Sequence, residues 1–542
     1  MADAEKPIDY IVVGGGLSGC VIASRIHQAR PDLSVTLLEA GPDESRNEKV
    51  LMPAAARSLG DTPLLSKYKT TPQAHLNNRQ VEFYGGRLLG GSSASNYGAW
   101  TRGHEDDYNL WAELVNDKRW SYGELLPYFK RSEHYHGTAS DDQHGYEGPI
   151  HTSSGGRNYP LREVMRKIYE VSGIVSNPDM NTGNPVGIAP LVESWYQGNR
   201  QHAANCYPLQ GVSVLTNTPA TRIVISRDND GIRRAIGVTI PSGKVLLAKN
   251  EVIICCGALK TPQLLMLSGI GPSSELVKHG IEQEMDLPVG LNLHDHPTTP
   301  VAFQLRYPER GLAVGSPEFM NKPNHFTGNP MDWFITAAIS GDELEQAANT
   351  DSLFAGKKPV DFEITCLYTG SQYGAPDGSH ITLGVVCLST TARGTVTLQS
   401  NRPEDSPIID PQYLSTEHDR IIMRSGVRFI LQMMSSKAAE EHFTGEAPPQ
   451  GFPQLTPVSP DAVIDSHVRS STTCGQHPAG SASMGTVVDS ECRVKGIGGL
   501  RVVDASIVPA SISAHMQAPM YGIAERAAEM ILHAAEMILH AA

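Results

Sequence analysis

Three patterns of apolar and polar positions organise this chain. Ile8–Val13 and Val35–Leu38 are short, largely apolar runs that read as buried strands. Between them, residues 20 to about 28 carry apolar positions at helical spacing. Strand, helix and strand in immediate succession predict a Rossmann-like start to an α/β fold. Much later, residues 361–366 (DFEITC) and 380–386 (HITLGVV) alternate in the manner of sheet strands and predict a second sheet over the active site. The Pro- and Gly-rich stretch 447–460 predicts a loop. The chain closes on a helical pattern with a perfect tandem repeat, AAEMILH at 527–533 and again at 534–540. A heptad seam for docking is one reading, but two heptads are too few to specify a coiled coil. The repeat reads instead as a terminal duplication whose second copy is frayed and dispensable.

Composition narrows the partners. At 542 residues the chain can build two or more domains and a large core. Hydrophobic residues make up 40% and charged residues 19%, an ordinary globular balance. The net charge of −14 disfavours nucleic acid and anionic membranes, whose partners carry basic patches. No run approaches the roughly 18 apolar residues that span a bilayer, and MADAEKP leads straight into the first strand without a secretory pattern. The eight cysteines are scattered with no CxxC pair, so neither a zinc site nor a disulfide framework is expected. There is no N-x-[ST] sequon. Together these predict an intracellular, cytoplasmic protein with no metal site.

Candidate chemistry begins after the first strand. Gly14, Gly16 and Gly19 form a GxGxxG fingerprint that also contains Leu17 and Ser18. The first glycine makes the turn, the second admits a pyrophosphate to the backbone, and the third lets helix and strand pack closely. The helix amino terminus carries the diphosphate charge. Glu39 ends the second strand, where an acid bonds the ribose hydroxyls and repels a 2′-phosphate. FAD or NAD fits this site; NADP does not.

Two further segments separate FAD from NAD. Residues 85–103 read GGRLLGGSSASNYGAWTRG, dense in glycines that let backbone amides approach a ligand. Residues 257–271 read GALKTPQLLMLSGIG. Near the end, His477 lies in GQHPAGSASMG and His515 in SISAHMQAPMYGIAE, with GLRVVDASIVP between them. With these motifs the chain resembles the glucose–methanol–choline (GMC) oxidoreductase family. The first signature is matched from Gly86 through Gly90, Gly91, Ser92 and Ser93 to Asn96, Arg102 and Gly103, and the second throughout. LPVGLNLHDHP at 287–297 and RGTVTLQS at 393–400 also resemble family segments, so the likeness runs from residue 8 to about 532.

The resemblance implies a Rossmann-like FAD-binding domain of GMC type, from 1–155, 210–300 and 468–542, and a sheet-plus-helices substrate domain, from 156–209 and 301–467. It implies flavin contacts for Gly90, Ser92, Asn96, Tyr97, Gly98, Asp504, Ala505, Gln517 and Ala518, and an adenine contact for the backbone of Thr221. Some members tether the flavin through a histidine at the position of Ser95. Serine cannot form that bond, which implies non-covalent FAD.

The same likeness assigns His477 as the base for an alcohol proton and His515 as hydrogen-bond partner to the developing alkoxide, with hydride passing to flavin N5. Tyr97 matches a tyrosine that stacks on the substrate ring in aryl-alcohol oxidases; core packing is its other reading. The resemblance therefore implies a small aromatic, allylic or furanic primary alcohol, with O2 or another electron acceptor as second substrate. Gln476 departs from that subgroup, which carries an aromatic there. A lyase or cyclase that keeps FAD only as structure is the alternative on this scaffold. His294 and His296 flank Asp295 in what reads as a structural loop near the flavin, and His27, His202 and His442 read as surface or helix residues.

Overall fold

In Ile8–Val13, the centre of the first sheet, Tyr10 to Val13 are closed to solvent. The computed structural model describes residues 7–138, 142–154, 157, 159–339, 360–370 and 376–541. Ile8–Val13 pairs in parallel with Val35–Leu38 on one side and with Val245–Ile254 on the other. Ser213–Leu215 and Leu500–Val502 extend the parallel set at its two ends. The long strand Val245–Ile254 changes character half-way. Val245 and Leu247 are 40% and 42% exposed, and this half pairs antiparallel with Arg233–Thr239. Val252, Ile253 and Ile254 are buried and run parallel between two neighbours. One strand thus joins a covered parallel sheet to an antiparallel meander, eight strands in all.

The predicted first helix spans Leu17–Ala29 and starts earlier than residue 20, because the fingerprint turn is itself the helix start. Cys20, Val21, Ile22 and Ile26 are buried. The terminal helix Gln517–Ala541 is fixed to it by a 2.6 Å ion pair between Arg25 and fully buried Glu525, which also accepts a 2.8 Å hydrogen bond from the Tyr207 hydroxyl. Ala527, Ala528 and Ile531 of the first repeat copy are buried. The side chains of 536–542, most of the second copy, lie outside the described residues. No helix among the described residues is long and apolar enough to cross a membrane.

The second sheet has seven antiparallel strands, including Phe362–Leu367 and His380–Cys387 where alternation predicts them. Phe362, Ile364, Cys366, Ile381, Leu383 and Val385 point into one core. Helix Glu417–Met434 covers that face so closely that a Cβ at Gly426 would lie 2.4 Å from Val385 Cγ1. Glu363, an intervening residue on the other face, reaches His515. Pro297–Leu305 belongs to this second sheet and runs across the 300/301 junction, and Thr473–Cys474 pairs with it from beyond 467/468. The division of the chain given above therefore stands as our proposal, with these two strands at its seams.

Candidate active site

Two glycine loops meet at the head of the first sheet. A Cβ at Gly14, where φ is +103°, would lie 2.4 Å from the Cys255 carbonyl oxygen, and a Cβ at Gly19 would lie 1.9 Å from that of Gly14. Only glycine fits either position. Gly16 differs, because its Cβ position has no atom nearer than 3.9 Å. The helix begins there without a side-chain cap, which leaves the first amides, of Leu17 and Ser18, for an anion. Gly90 N–H donates to the Gly15 carbonyl at 2.7 Å, and Gly91 rests on Gly16. The second glycine segment therefore completes the cradle begun by the first, with Ser92 Oγ accepting from Gly86 N–H at 3.2 Å.

Glu39 closes Val35–Leu38 beside this cradle. Its carboxylate accepts from Gly15 and Gly41 N–H at 2.9 and 2.7 Å, and burial pushes it up to about 7. Thr218 N–H donates to the Glu39 carbonyl at 2.8 Å, which ties the loop before Thr221 to the nucleotide side. Thr221 itself bonds Thr239 in the meander, away from the histidines. Asp504 is buried, which raises its carboxyl, and accepts from Gly257 N–H and Thr261 Oγ at 2.9 and 2.6 Å. Ala505 follows, its carbonyl accepting from Gly480 N–H at 3.0 Å. An uncapped helix start, an open glycine and a ribose-side acid fit the dinucleotide half of FAD.

A short backbone pairing sets His477, while His515 is held by its N–H donating to Thr101 Oγ1 at 2.8 Å. Residues 294–296 lie antiparallel to 475–479: His294 and Ala479 exchange bonds of 3.0 and 2.9 Å, and Gly475 N–H donates to the His296 carbonyl at 2.7 Å. Buried Asp295 accepts the His477 N–H at 2.6 Å and the Tyr413 hydroxyl, and burial pushes its carboxyl up to about 6. His477 and His515 then meet edge to face, ring centroids 4.7 Å apart at 78°. Desolvation, followed by repulsion from His515 and His296, holds His477 well below the ordinary imidazole range. It is therefore neutral at physiological pH.

The substrate sheet supplies the far wall. Glu363, on the face of Phe362–Leu367 opposite the core, bonds His515 Nε2 at 2.8 Å, and Phe334 stacks on the His515 ring at 5.3 Å and 18°. Asn96 donates to Gln517 Oε1, and Gln517 Nε2 donates to Ser194 Oγ at 2.6 Å, so loop 96–98 is locked to the start of the last helix, where Ala518 is buried. Gly98 N–H donates to Asn96 Oδ1 at 3.0 Å. Tyr97 is 49% exposed, and its carbonyl accepts from Asn329 Nδ2 at 2.6 Å.

Two readings of isolated histidines are corrected here. His296 does more than shape a loop: its Nδ1 lies 3.0 Å from His477 Nδ1. His202 is not a surface residue but fully buried, pushed down to about 4 by burial, with its Nδ1 where a Gly90 Cβ would come within 2.8 Å. Glu363 and Phe334 were absent from the sequence-derived site. Glu363 as the one acid of the apolar strand Phe362–Leu367 was the available signal for the first; for Phe334 there was none.

Comparison with known proteins identifies the family and the fold. GMC oxidoreductase family models match residues 8–298 and 390–524. The chain is 42% identical over 539 residues to the GMC-type oxidoreductase acuG of Aspergillus aculeatus, covering 97% of this chain and 99% of that protein. It is 32% identical over 554 residues to an alcohol dehydrogenase (acceptor) of Pseudomonas putida, covering 97% and 95%. The solved structure of pyridoxine 4-oxidase from Mesorbium loti superposes with a TM-score of 0.84 at 27% identity, covering 97% and 99%.

Proposed function

The chain belongs to the GMC oxidoreductase family and is a FAD-dependent oxidoreductase of alcohols, and on that premise we propose that it oxidises a small aromatic, allylic or furanic primary alcohol with His477 as the base. FAD, when bound, supplies the hydride acceptor. His477 takes the hydroxyl proton, and the neutral state imposed on it by burial is the state that can do so.

His515 steadies the developing alkoxide. Glu363 engages its Nε2, so an Nδ1–H that also donates into the pocket needs the imidazole and carboxyl to hold one proton beyond neutral imidazole and carboxylate. The 2.8 Å bond to buried Glu363 holds the His515 ring in place for that role. The observation that carries this reading is the edge-to-face contact of two differently partnered imidazoles, His477 beside His296 and His515 on Glu363.

The substrate class is supported by Phe334, flat against His515, and by half-exposed Tyr97 in loop 96–98. Ser95 offers no tether, so FAD is held non-covalently, and O2 or another acceptor reoxidises it. The test is anaerobic bleaching of the flavin by matched benzylic, furanic, allylic and saturated alcohols. Preference for saturated alcohols or sugars overturns the substrate class. Flavin retained on acid-denatured, filtered protein overturns non-covalent binding.

A further inference from the structure

A chain of three hydrogen bonds ends on the proposed base. The Ser511 hydroxyl lies 2.6 Å from the Leu388 carbonyl oxygen, which can only accept, so the hydroxyl donates there. Ser511 Oγ also lies 3.0 Å from His296 Nε2. With its one proton directed at Leu388, the hydroxyl accepts, and His296 carries its proton on Nε2. With His296 neutral, its Nδ1 is then a bare lone pair. It faces His477 Nδ1 at 3.0 Å, so His477 must be the donor. Its second nitrogen, Nε2, is left unprotonated.

We propose that Ser511 and His296 are positioning residues that lock His477 in the Nδ1–H tautomer, so that Nε2 always presents a lone pair to the substrate hydroxyl. The lock reaches across the molecule. Leu388 follows the substrate-sheet strand His380–Cys387, Ser511 precedes the last helix, and His296 lies on the segment paired with 475–479. When His477 takes the alcohol proton on Nε2, its Nδ1–H stays bonded to His296, so no second proton has to move. In the opposite tautomer the lone pair would face His296 and the reaction would have no base.

The inference rests on His477 being the base, and its test separates the two. In flavin-loaded enzyme with 15N-labelled histidine, His477 and His296 are assigned by loss of signals in His477→Gln and His296→Asn. Long-range 1H–15N correlation should show protonated Nδ1 and bare Nε2 on His477, and the reverse on His296. Bare Nδ1 on His477, or a His296 protonated on both nitrogens, overturns the lock whatever the substrate.

Anaerobic reduction is the second readout. Ser511→Ala and His296→Leu should slow flavin reduction on the order of 10- to 100-fold at saturating alcohol, with substrate affinity unchanged. His296→Asn, whose Oδ1 can accept near the Nδ1 position, should recover most of the rate. Wild-type rates in Ser511→Ala and His296→Leu, with His477→Ala slow, overturn the lock and spare the base. Wild-type rates in His477→Ala, with the NMR pattern intact, overturn the base and spare the lock.

Discussion

Gln476, immediately before His477, occupies the left-handed region at φ +64°. For a residue with a Cβ this conformation is held only when its surroundings over-determine it. Here the side chain is pinned at both ends: Nε2 donates to the Glu82 carbonyl at 3.0 Å and Oε1 accepts from Tyr84 N–H at 2.9 Å. The polar residue that departs from the aryl-alcohol pattern thus clamps the base to the strand Glu82–Gly86. Tyr97 is the residue on which we propose that substrate choice turns. Its 49% exposure leaves the ring available for stacking, worth on the order of 1 kcal/mol beyond burial. Tyr97→Ala should raise the apparent Michaelis constant about 5-fold for aryl alcohols and little for small aliphatic ones. Equal losses for both classes, in steady-state assays of matched substrates, would remove Tyr97 from substrate binding.

At the scale of elements, the repeat at the carboxy terminus divides into a working half and a candidate for removal. Ala527, Ala528 and Ile531 are buried, and Glu529 accepts from the Tyr128 hydroxyl at 2.5 Å. Deletion of 534–542 should leave flavin content and melting temperature nearly unchanged. A change of several degrees, or of oligomeric state by light scattering, would give the second copy a structural role. Elements legible in the sequence were those set by local pattern: the continuous strand Ile8–Val13, the fingerprint turn, and Glu39 at the end of Val35–Leu38. His477 and His515 were legible only through their motifs. Glu363, Phe334 and the His296–His477 bond depend on strand pairings between distant segments, which local periodicity does not encode. The parallel pair Glu133–Tyr135 and Ile150–Thr152 shows the same limit. It stacks His134, His136 and His151 with ring planes 14–20° apart. One ring nitrogen from each of the three lies within 4.8 Å of the others, and His136 Nε2 and His151 Nδ1 are hydrogen-bonded at 2.7 Å.

For the whole molecule, the buried ionic chain Arg102–Glu133–His144–Asp179 joins the end of the first GMC signature to the strand Glu133–Tyr135. Its contacts are 2.6, 2.9 and 2.8 Å, with Arg102, Glu133 and His144 side chains fully buried. Burial raises the Glu133 and Asp179 carboxyls, but Arg102 and His144 outweigh it and leave both below their ordinary values of 4.5 and 3.8. Burial lowers His144, but the two carboxylates outweigh it and hold it above 6.5. The carboxylates thus stabilise the fold above their ordinary values and lose that contribution as pH falls through their depressed ones. His144 stabilises it below 6.5 and loses that contribution as pH rises through its elevated value. Melting temperature should therefore be highest between 4.5 and 6.5 as far as this network decides it. Glu133→Gln should cost about 3–5 kcal/mol and flatten the alkaline limb, as urea unfolding against pH would show. An unchanged pH profile in that variant would mean the network is not the determinant.

The central claim is that His477, kept neutral by burial, takes the proton as the alcohol is oxidised. Anaerobic stopped-flow reduction of wild type and His477→Ala by the best alcohol, across pH and with FAD occupancy checked, tests it most directly. Wild type should keep its rate as pH falls through 6.5 and lose it only at clearly lower pH, where His477 protonates. His477→Ala should bind FAD, reduce about 10²–10⁴-fold more slowly and lack that acid limb. Reduction of His477→Ala at near wild-type rate would contradict the assignment, and turnover without flavin reduction in either protein would point to the non-redox lyase or cyclase chemistry instead.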